Sequence, residues 1–344
     1  MKNIKQTALA ATISFALIGC GSDSSSPEQP QMGEFNLAVS DAPVDNVSSV
    51  VVVYHKAVLI PKGNSNPIEI DIEVSEVEHR NHNALEVNGR VDLLKVQGSQ
   101  VAPLVRGLEV PAGEYQELCL YTKNGQSQDS TLSHVVSNDG SQTINPLEVH
   151  SESGCTNGYG KEKDEGVLRL GKFTVNQGQN GFVVEFDLRK GLEEPKSNSE
   201  AYTIRHKAIS LHNTVEAGHI KGSVSFETVQ TCNAAVDETV NAVYLYDAEV
   251  EKDEMLGFYP LPDENKEEPF GYPITAANAN LQEDGNLEYN IGFIAEGAYQ
   301  VAYTCKADLD AEESQEEFSV YQVKSVQVEA GEDNTLVVDF DVQE

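Results

Sequence analysis

Four consecutive valines, Val50 to Val53, sit inside the stretch FNLAVSDAPVDNVSSVVVVYHKAVLI at residues 35–60, and few kinds of structure can absorb them. β-Branched side chains lose rotamer freedom in a helix but fit a pleated, half-buried surface. The stretch therefore reads as two β-strands, with Asp41, Ala42 and Pro43 turning the chain between them. A sheet with a buried face is the nucleus around which the remaining chain is organised.

The same logic extends along the sequence. IEIDIEV at 68–74 alternates isoleucine with acid, as a strand with one wet face does. Residues 91–96 and 101–105 read as short strands split by Gly98-Ser99, and Pro111-Ala112-Gly113 is a tight turn before GEYQELCLYT. VLRLGKFTV at 167–175 and GFVVEFDL, with Phe182, Val184, Phe186 and Leu188 on one face, are further strands. The intervening Asn-Gln-Gly-Gln-Asn-Gly predicts a hairpin loop. YTIRHKAISLHN at 202–213 reads as one strand, which would put His206 and His212 on the same face. Beyond it, GHIKGSVSFE points Ile220, Val224 and Phe226 one way and Lys221, Ser223 and Ser225 the other. VNAVYLYDAE, GAYQVAYTCKAD and TLVVDFDV repeat the pattern, the last with Leu336, Val338, Phe340 and Val342 together. Strand follows strand with no amphipathic helix. The expected fold is all-β: two consecutive antiparallel β-sandwich domains, residues 34–218 and 219–344, after a signal peptide and a flexible tether.

The amino terminus sets the expected compartment. Lys2 and Lys5 precede a short apolar core at 8–18, and the segment ends in Leu17-Ile18-Gly19-Cys20. This is the layout of a bacterial signal peptide, residues 1–19, too short to span a membrane. Its last four residues resemble the lipobox of bacterial lipoproteins, which implies that Cys20 becomes the acylated first residue of the mature chain. Several acyl chains on one residue exceed what stable membrane attachment needs. By resemblance to lipoprotein sorting rules, Gly21 and Ser22 lack the aspartate that retains a lipoprotein at the inner membrane, which implies the outer one. Residues 20–33, small, polar and proline-bearing, read as a lipidated tether able to reach roughly 45 Å.

Charge narrows the partners. The chain carries a formal net charge of -33, and the mature chain loses two further lysines. Such a surface repels nucleic acid and anionic headgroups. With Cys20 assigned to lipid, Cys119, Cys155, Cys232 and Cys305 remain in an exported chain. Of three pairings, Cys119 with Cys155 and Cys232 with Cys305 respect a boundary near residue 218. Each bridge would restrict the unfolded chain by roughly 4 kcal/mol in the chain-entropy model.

A family resemblance rests on three separated segments. SDAPVDNV with its valine strand, DLLKVQGSQVAPLVRGLEVPAGEYQELCLYT at 92–122, and FVVEFDLRKGL at 182–192 resemble, in order, the bacterial envelope family known as domain of unknown function 4382. The resemblance covers residues 34 to about 215 and implies fold and export without implying a reaction. The acidic second half, with its Gly-x-Val, Ala-Val-Tyr-Leu-Tyr and Gly-x-Tyr-x-Val-x-Tyr strands, is similar to prealbumin-like sandwiches related to carboxypeptidase regulatory domains. Those imply scaffolding or recognition.

Candidate chemistry is sparse. There is no Gly-x-Ser-x-Gly and no phosphate-cradling glycine loop. His79 and His82, three apart among glutamates, could share a helix face toward a transition metal, yet further ligands are unassigned and a polar loop is the plainer reading. DLDAEESQEE offers Asp308, Asp310 and Glu312 as a calcium candidate, without the glycine and spacing of an EF-hand loop; a solvated run of like charges is its alternative. No other cofactor and no catalytic residue is expected. Without tryptophan, sugar stacking would rest on tyrosines such as Tyr159, Tyr259 and Tyr272. The sequence thus predicts a non-enzymatic, lipid-anchored envelope protein that acts as a binding or structural module toward an unidentified envelope polymer or protein. An envelope hydrolase acting on polysaccharide or peptide and a calcium-dependent adhesion module are the alternatives. A triad or carboxylate pair gathered in one concave pocket would favour the hydrolase.

Overall fold

The computed structural model describes residues 31–42, 47–63, 65–74, 88–138, 140–149, 154–156, 160–196, 199–233, 240–259, 270–311, 314, 316–331 and 333–342. The signal peptide, Cys20, the tether through residue 30, Pro43, His79, His82, Tyr159 and Glu312 lie outside them. Residues 31–344 form one compact body.

Four sheets build that body. The first runs Ile209–Asn213, Gly178–Asp187, Met32–Ala42, Ala102–Pro111. The second is centred on the long strand Val47–Pro61, flanked by Gly113–Lys123 and His134–Ser137. Between these two lies a core that contains Phe35, Leu37, Val39, Val50, Val52, Tyr54, Leu120, Phe182, Val184 and Phe186. All four valines of the run are buried, so both faces of their strand are covered. Each such side chain contributes about 1.5–3 kcal/mol by leaving water. The third sheet runs Asn280–Leu281, Leu287–Ala295, Ala217–Val224, Thr335–Val337, and the fourth Thr275–Asn278, Ala242–Asp247, Gly297–Thr304, Gln322–Val328. Ile220, Val224, Val243, Leu245, Ile291, Val301, Tyr303 and Phe340 form the core between them.

The structure corrects several local expectations. Asp41 and Ala42, expected to turn the chain, instead close the strand Met32–Ala42 in register with Phe186 and Asp187, and the two opening strands lie in opposite sheets. Residues 176–181 form no hairpin. Phe173–Val175 pairs with Gly113–Lys123, whereas Gly178–Asp187 crosses to the other sheet and lies parallel to Met32–Ala42. Parallel ladders also join Ile144–Val149 to Tyr202–Ile204 and Ala217–Val224 to Thr335–Val337, amid otherwise mostly antiparallel pairing. Residues 91–96 divide into the strand Arg90–Asp92 and a single turn at Leu93–Lys95. A turn at His206–Ala208 likewise interrupts 202–213, so His206 and His212 share no strand. Phe226 opens the helix Phe226–Asn233 and is exposed, as is Val342, although Ile220, Val224, Val338 and Phe340 are buried.

Both sandwiches use the same device where the chain crosses between sheets. At Pro111-Ala112-Gly113-Glu114-Tyr115, the Tyr115 hydroxyl donates to the Pro111 carbonyl at 2.7 Å. At Ala295-Glu296-Gly297-Ala298-Tyr299, the Tyr299 hydroxyl donates to the Ala295 carbonyl at 2.9 Å. Each phenol reaches back four residues and pins the corner, as tyrosine corners do in other sandwiches. The disulfides complete the frame: Cys119 joins Cys155, and Cys232, in the helix Phe226–Asn233, joins Cys305 after the strand Gly297–Thr304.

Because the Tyr115 bond is part-buried and the Tyr299 bond exposed, Tyr115→Phe is expected to lower the unfolding free energy by about 1 kcal/mol and Tyr299→Phe by less. Urea denaturation of both variants measures this order.

Candidate functional site

The two sandwiches meet along a seam of close backbone contact. A Cβ at Gly292 would sit 2.2 Å from the Gly98 carbonyl oxygen, and one at Gly98, whose φ is +63°, would lie 2.7 Å from the Asn290 carbonyl oxygen. Only glycine admits that approach and that backbone conformation together. The Asn290 side-chain amide donates to Ser99 Oγ at 2.9 Å across the seam. Beside it, Ala38, Val101 and Val183 of the first half meet Ala217 and Phe293 of the second. The buried Arg189 guanidinium reaches over from the end of the first half, donating to Asn278 Oδ1 at 2.6 Å and to the Ala307 carbonyl at 3.4 Å.

Along this seam opens a cleft of about 750 Å³. Its floor is the outward face of the third sheet. Lys221 stands opposite Asn290 and Ser223 opposite Glu288 on adjacent strands, while Ile220, Val224, Leu287 and Ile291 face inward. Its walls are Leu94, Lys95, Gln97 and Gln100 of the first half and Asn278, Asn280, Gln282, Val337 and Asp339 of the second. Several polar groups are already engaged: Lys95 pairs with Asp92 at 3.0 Å, and the Ser223 hydroxyl donates to Asp339 Oδ1 at 2.9 Å. Gln97, Gln100, Asn280, Lys221 and Glu288 remain open to a ligand. A second cleft of about 800 Å³ at the same seam is lined by Asn36, Ala38, Val183, Thr214, His219 and Phe293 among others.

Buried carboxyls gather on the strand Gly178–Asp187 and its parallel neighbour. Burial pushes Glu185 up, opposed by His212, whose Nε2 lies 3.1 Å from Glu185 Oε2. Burial pushes Asp187 up to about 7, against the opposing Lys190 backbone N–H. Asp41, in the first core, is pushed well above the carboxylate range by burial and then by the charges of Asp187 and Glu185. The Leu188 amide pulls the other way, but neither Asp41 oxygen has a partner in hydrogen-bond geometry.

Ser210, His212 and Glu185 form a serine-histidine-acid group, and its geometry decides what it can do. Ser210 Oγ lies 2.7 Å from His212 Nε2, the same nitrogen that faces Glu185. A proton relay needs the acid on one ring nitrogen and the nucleophile on the other. Here both contacts converge on one, so the group is a polar contact at the edge of the first sheet.

The calcium candidates part company. Asp308 is exposed, whereas Asp310 is buried, with Oδ2 accepting from the Tyr244 hydroxyl and Oδ1 from the Tyr259 backbone N–H, both at 2.9 Å. Asp310 thereby staples the loop around 257–259 over an aromatic layer of Tyr244, Tyr246, Phe258 and Phe318. Glu117, Cys119 and Cys155 are the group of three metal-type donors drawn together among the described residues, and the two cysteines are spent on their bridge. Sequence reasoning placed Lys221 and Ser223 on an outward face but found none of the other cleft residues. They come from five separated segments, and only the tertiary fold unites them.

The sequence profile of the family described as Domain of unknown function (DUF4382) matches residues 32–205. The chain belongs to this family. The family's region covers the buried carboxyls and the first two sheets except the edge strand Ile209–Asn213, and it ends before the third sheet begins. No curated protein matches the chain. Among solved structures it is similar to a candidate cell adhesion protein of Bacteroides fragilis, at 9% identity over 90% of each chain and a TM-score of 0.18. A candidate adhesin of Bacteroides ovatus gives 11% identity over 92% of this chain and 90% of that one, with a TM-score of 0.20. The minor pilin of Streptococcus agalactiae gives 9% over 89% and 94%, with a TM-score of 0.17. Likeness this loose carries no argument about function, and the all-β class rests on the strands themselves.

Asp187 yields a pH test. Its folded pKa of about 7 exceeds the 3.8 of a free aspartate, so the unfolded chain binds fewer protons between those values. This group's contribution is therefore fully present below about pH 4 and is lost as pH rises toward 7. Asp187→Asn keeps the cap acceptor but cannot ionise. Its stability relative to the wild type is expected to climb between pH 4 and 7, by about 4 kcal/mol at most, and to level off above. Urea melts at each pH unit measure the difference.

Proposed function

We propose that this protein is a lipid-anchored component of the bacterial envelope that works by binding, with the seam cleft as its site. Acyl chains on Cys20 hold it at the outer membrane and residues 20–33 tether it. The sandwiches of residues 34–218 and 219–344, the second acidic and prealbumin-like, present the cleft to an envelope polymer or protein. The lipobox-like Leu17-Ile18-Gly19-Cys20 supports the anchor.

One observation carries the binding reading. Gln97, Gln100, Asn280, Lys221 and Glu288 line one concave surface, and their side-chain polar groups have no partner among the described residues. The backbone that carries them is strand and short turn around a fixed seam, so a ligand has side chains but no main chain to order. The histidine of the serine-histidine-acid group shares one nitrogen between both partners. That arrangement favours binding over hydrolysis.

Two measurements test this. Cys20→Ala is expected to move the protein from the membrane fraction into the soluble envelope fraction, and mass spectrometry of the wild type to find acyl chains on residue 20. Gln100→Trp, at an exposed side chain without partners, is expected to leave the thermal midpoint unchanged while lowering retention of the full-length protein on envelope fragments by about tenfold. Unchanged retention would refute the cleft as the site.

A further inference from the structure

Building on the cleft as a binding site, we infer that its ligand is an uncharged, polyhydroxylated chain, a segment of neutral oligosaccharide. Charge is the first argument. The chain as a whole carries -33, yet the cleft lining holds two lysines and two carboxylates, a formal balance of zero. A site for an anionic polymer would need an excess of cations to overcome the repulsion of the surrounding surface, and a site for a cationic one would share the acidity of the rest. Neutrality here stands out against the acidic background.

Hydrogen-bonding capacity is the second argument. Six side-chain amides line the cleft. A side-chain amide carries two N–H donors beside a carbonyl acceptor, which matches hydroxyls that both donate and accept, although the amides of Asn278, Gln282 and Asn290 are partly engaged within the protein. The side-chain amides of Gln97, Gln100 and Asn280 have no partner among the described residues, and Lys221 and Glu288 add a charged donor and a charged acceptor on the sheet floor. Hydrogen bonds to charged groups are roughly twice as strong as neutral ones, so this pair would fix the orientation of a sugar ring.

The third argument is what a polypeptide would require. An extended peptide adds to a sheet through an unpaired edge and seats alternate side chains in apolar pockets. This floor is a sheet face: Ala217–Val224 pairs along its length with Leu287–Ala295, whose far side is paired at Leu287 and Glu288 and meets the Gly98 backbone of the first half at Gly292. Leu94, Ala277 and Val337 are nearly all the cleft offers to an apolar side chain. Tyr289 lines the cleft from within the core, where its hydroxyl donates to the Val338 carbonyl and its ring meets Phe340, so it forms no stacking platform. Recognition therefore falls on hydroxyl contacts along several sugar units.

The test is calorimetric titration of the full mature protein, in detergent, with maltoheptaose, cellohexaose, mannohexaose and xylohexaose, alongside oligogalacturonate and a casein hydrolysate. At least one neutral oligosaccharide is expected to bind saturably, with affinity little changed between about 50 and 500 mM salt. The double variant Gln100→Ala with Asn280→Ala is expected to weaken it about tenfold at an unchanged thermal midpoint. Binding confined to oligogalacturonate or peptide, and lost in the same variant, would overturn the ligand class while leaving the cleft a binding site. If no probe binds, the ligand class is likewise overturned; the retention of Gln100→Trp on envelope fragments then decides the underlying reading separately.

Discussion

Close backbone approach at Gly98 and Gly292 is the constraint on which the remaining arrangement depends. Two sandwiches joined by the short stretch between Asn213 and Ala217 could swing freely, because such a link fixes neither angle nor distance. Here the main chains touch where no side chain intervenes, and the Asn290 amide closes on Ser99 beside the contact. Arg189 adds a planar, always-charged donor whose partners, Asn278 and the Ala307 carbonyl, belong to the other half. Burying that cation far from any acceptor would be unfavourable by several kcal/mol, so the halves are held where its acceptors are. The cleft exists because the halves meet in this register.

Within each half, the corner tyrosines and disulfides act at the places where chain order and sheet order diverge. Both tyrosines clamp a crossing from one sheet to the other; one bridge ties the strand residue Cys119 to Cys155, and the other ties the helix Phe226–Asn233 to the end of the strand Gly297–Thr304. The second half goes further and covers the outer face of its fourth sheet with loops, pinned by Asp310 against Tyr244 and Tyr259. A carboxylate in an acidic sequence run can thus be a buried structural acceptor.

Much of this fold was legible in the sequence, for a physical reason. Period-two alternation reports directly which side chain faces water, so the valine run, Phe182 to Phe186 and Ile220 with Val224 located core strands, while Leu188 is buried but opens the helical turn Leu188–Gly191. Pairing partners were less accessible. The glycine-rich 176–181 segment has hairpin chemistry, yet crosses between sheets because Met32–Ala42 offers a parallel neighbour far away in sequence. Phe226 continued an alternating pattern but fell at a helix start, where Ser225 and Thr228 join their hydroxyls and the Asn286 side chain accepts from the Phe226 N–H. Of the cleft, only the outward face of Lys221 and Ser223 could be read. Glutamines and asparagines scattered over three segments carry no local signal until the seam brings them together.

The seam fixes one geometry between the halves. Spin labels on the exposed Glu109 and Glu329 positions, one in each half, would report their separation by pulsed electron resonance in the full-length protein. A single narrow distance distribution is the predicted result. A broad or multi-peaked distribution would mean that the halves move independently and that the cleft is not a standing site.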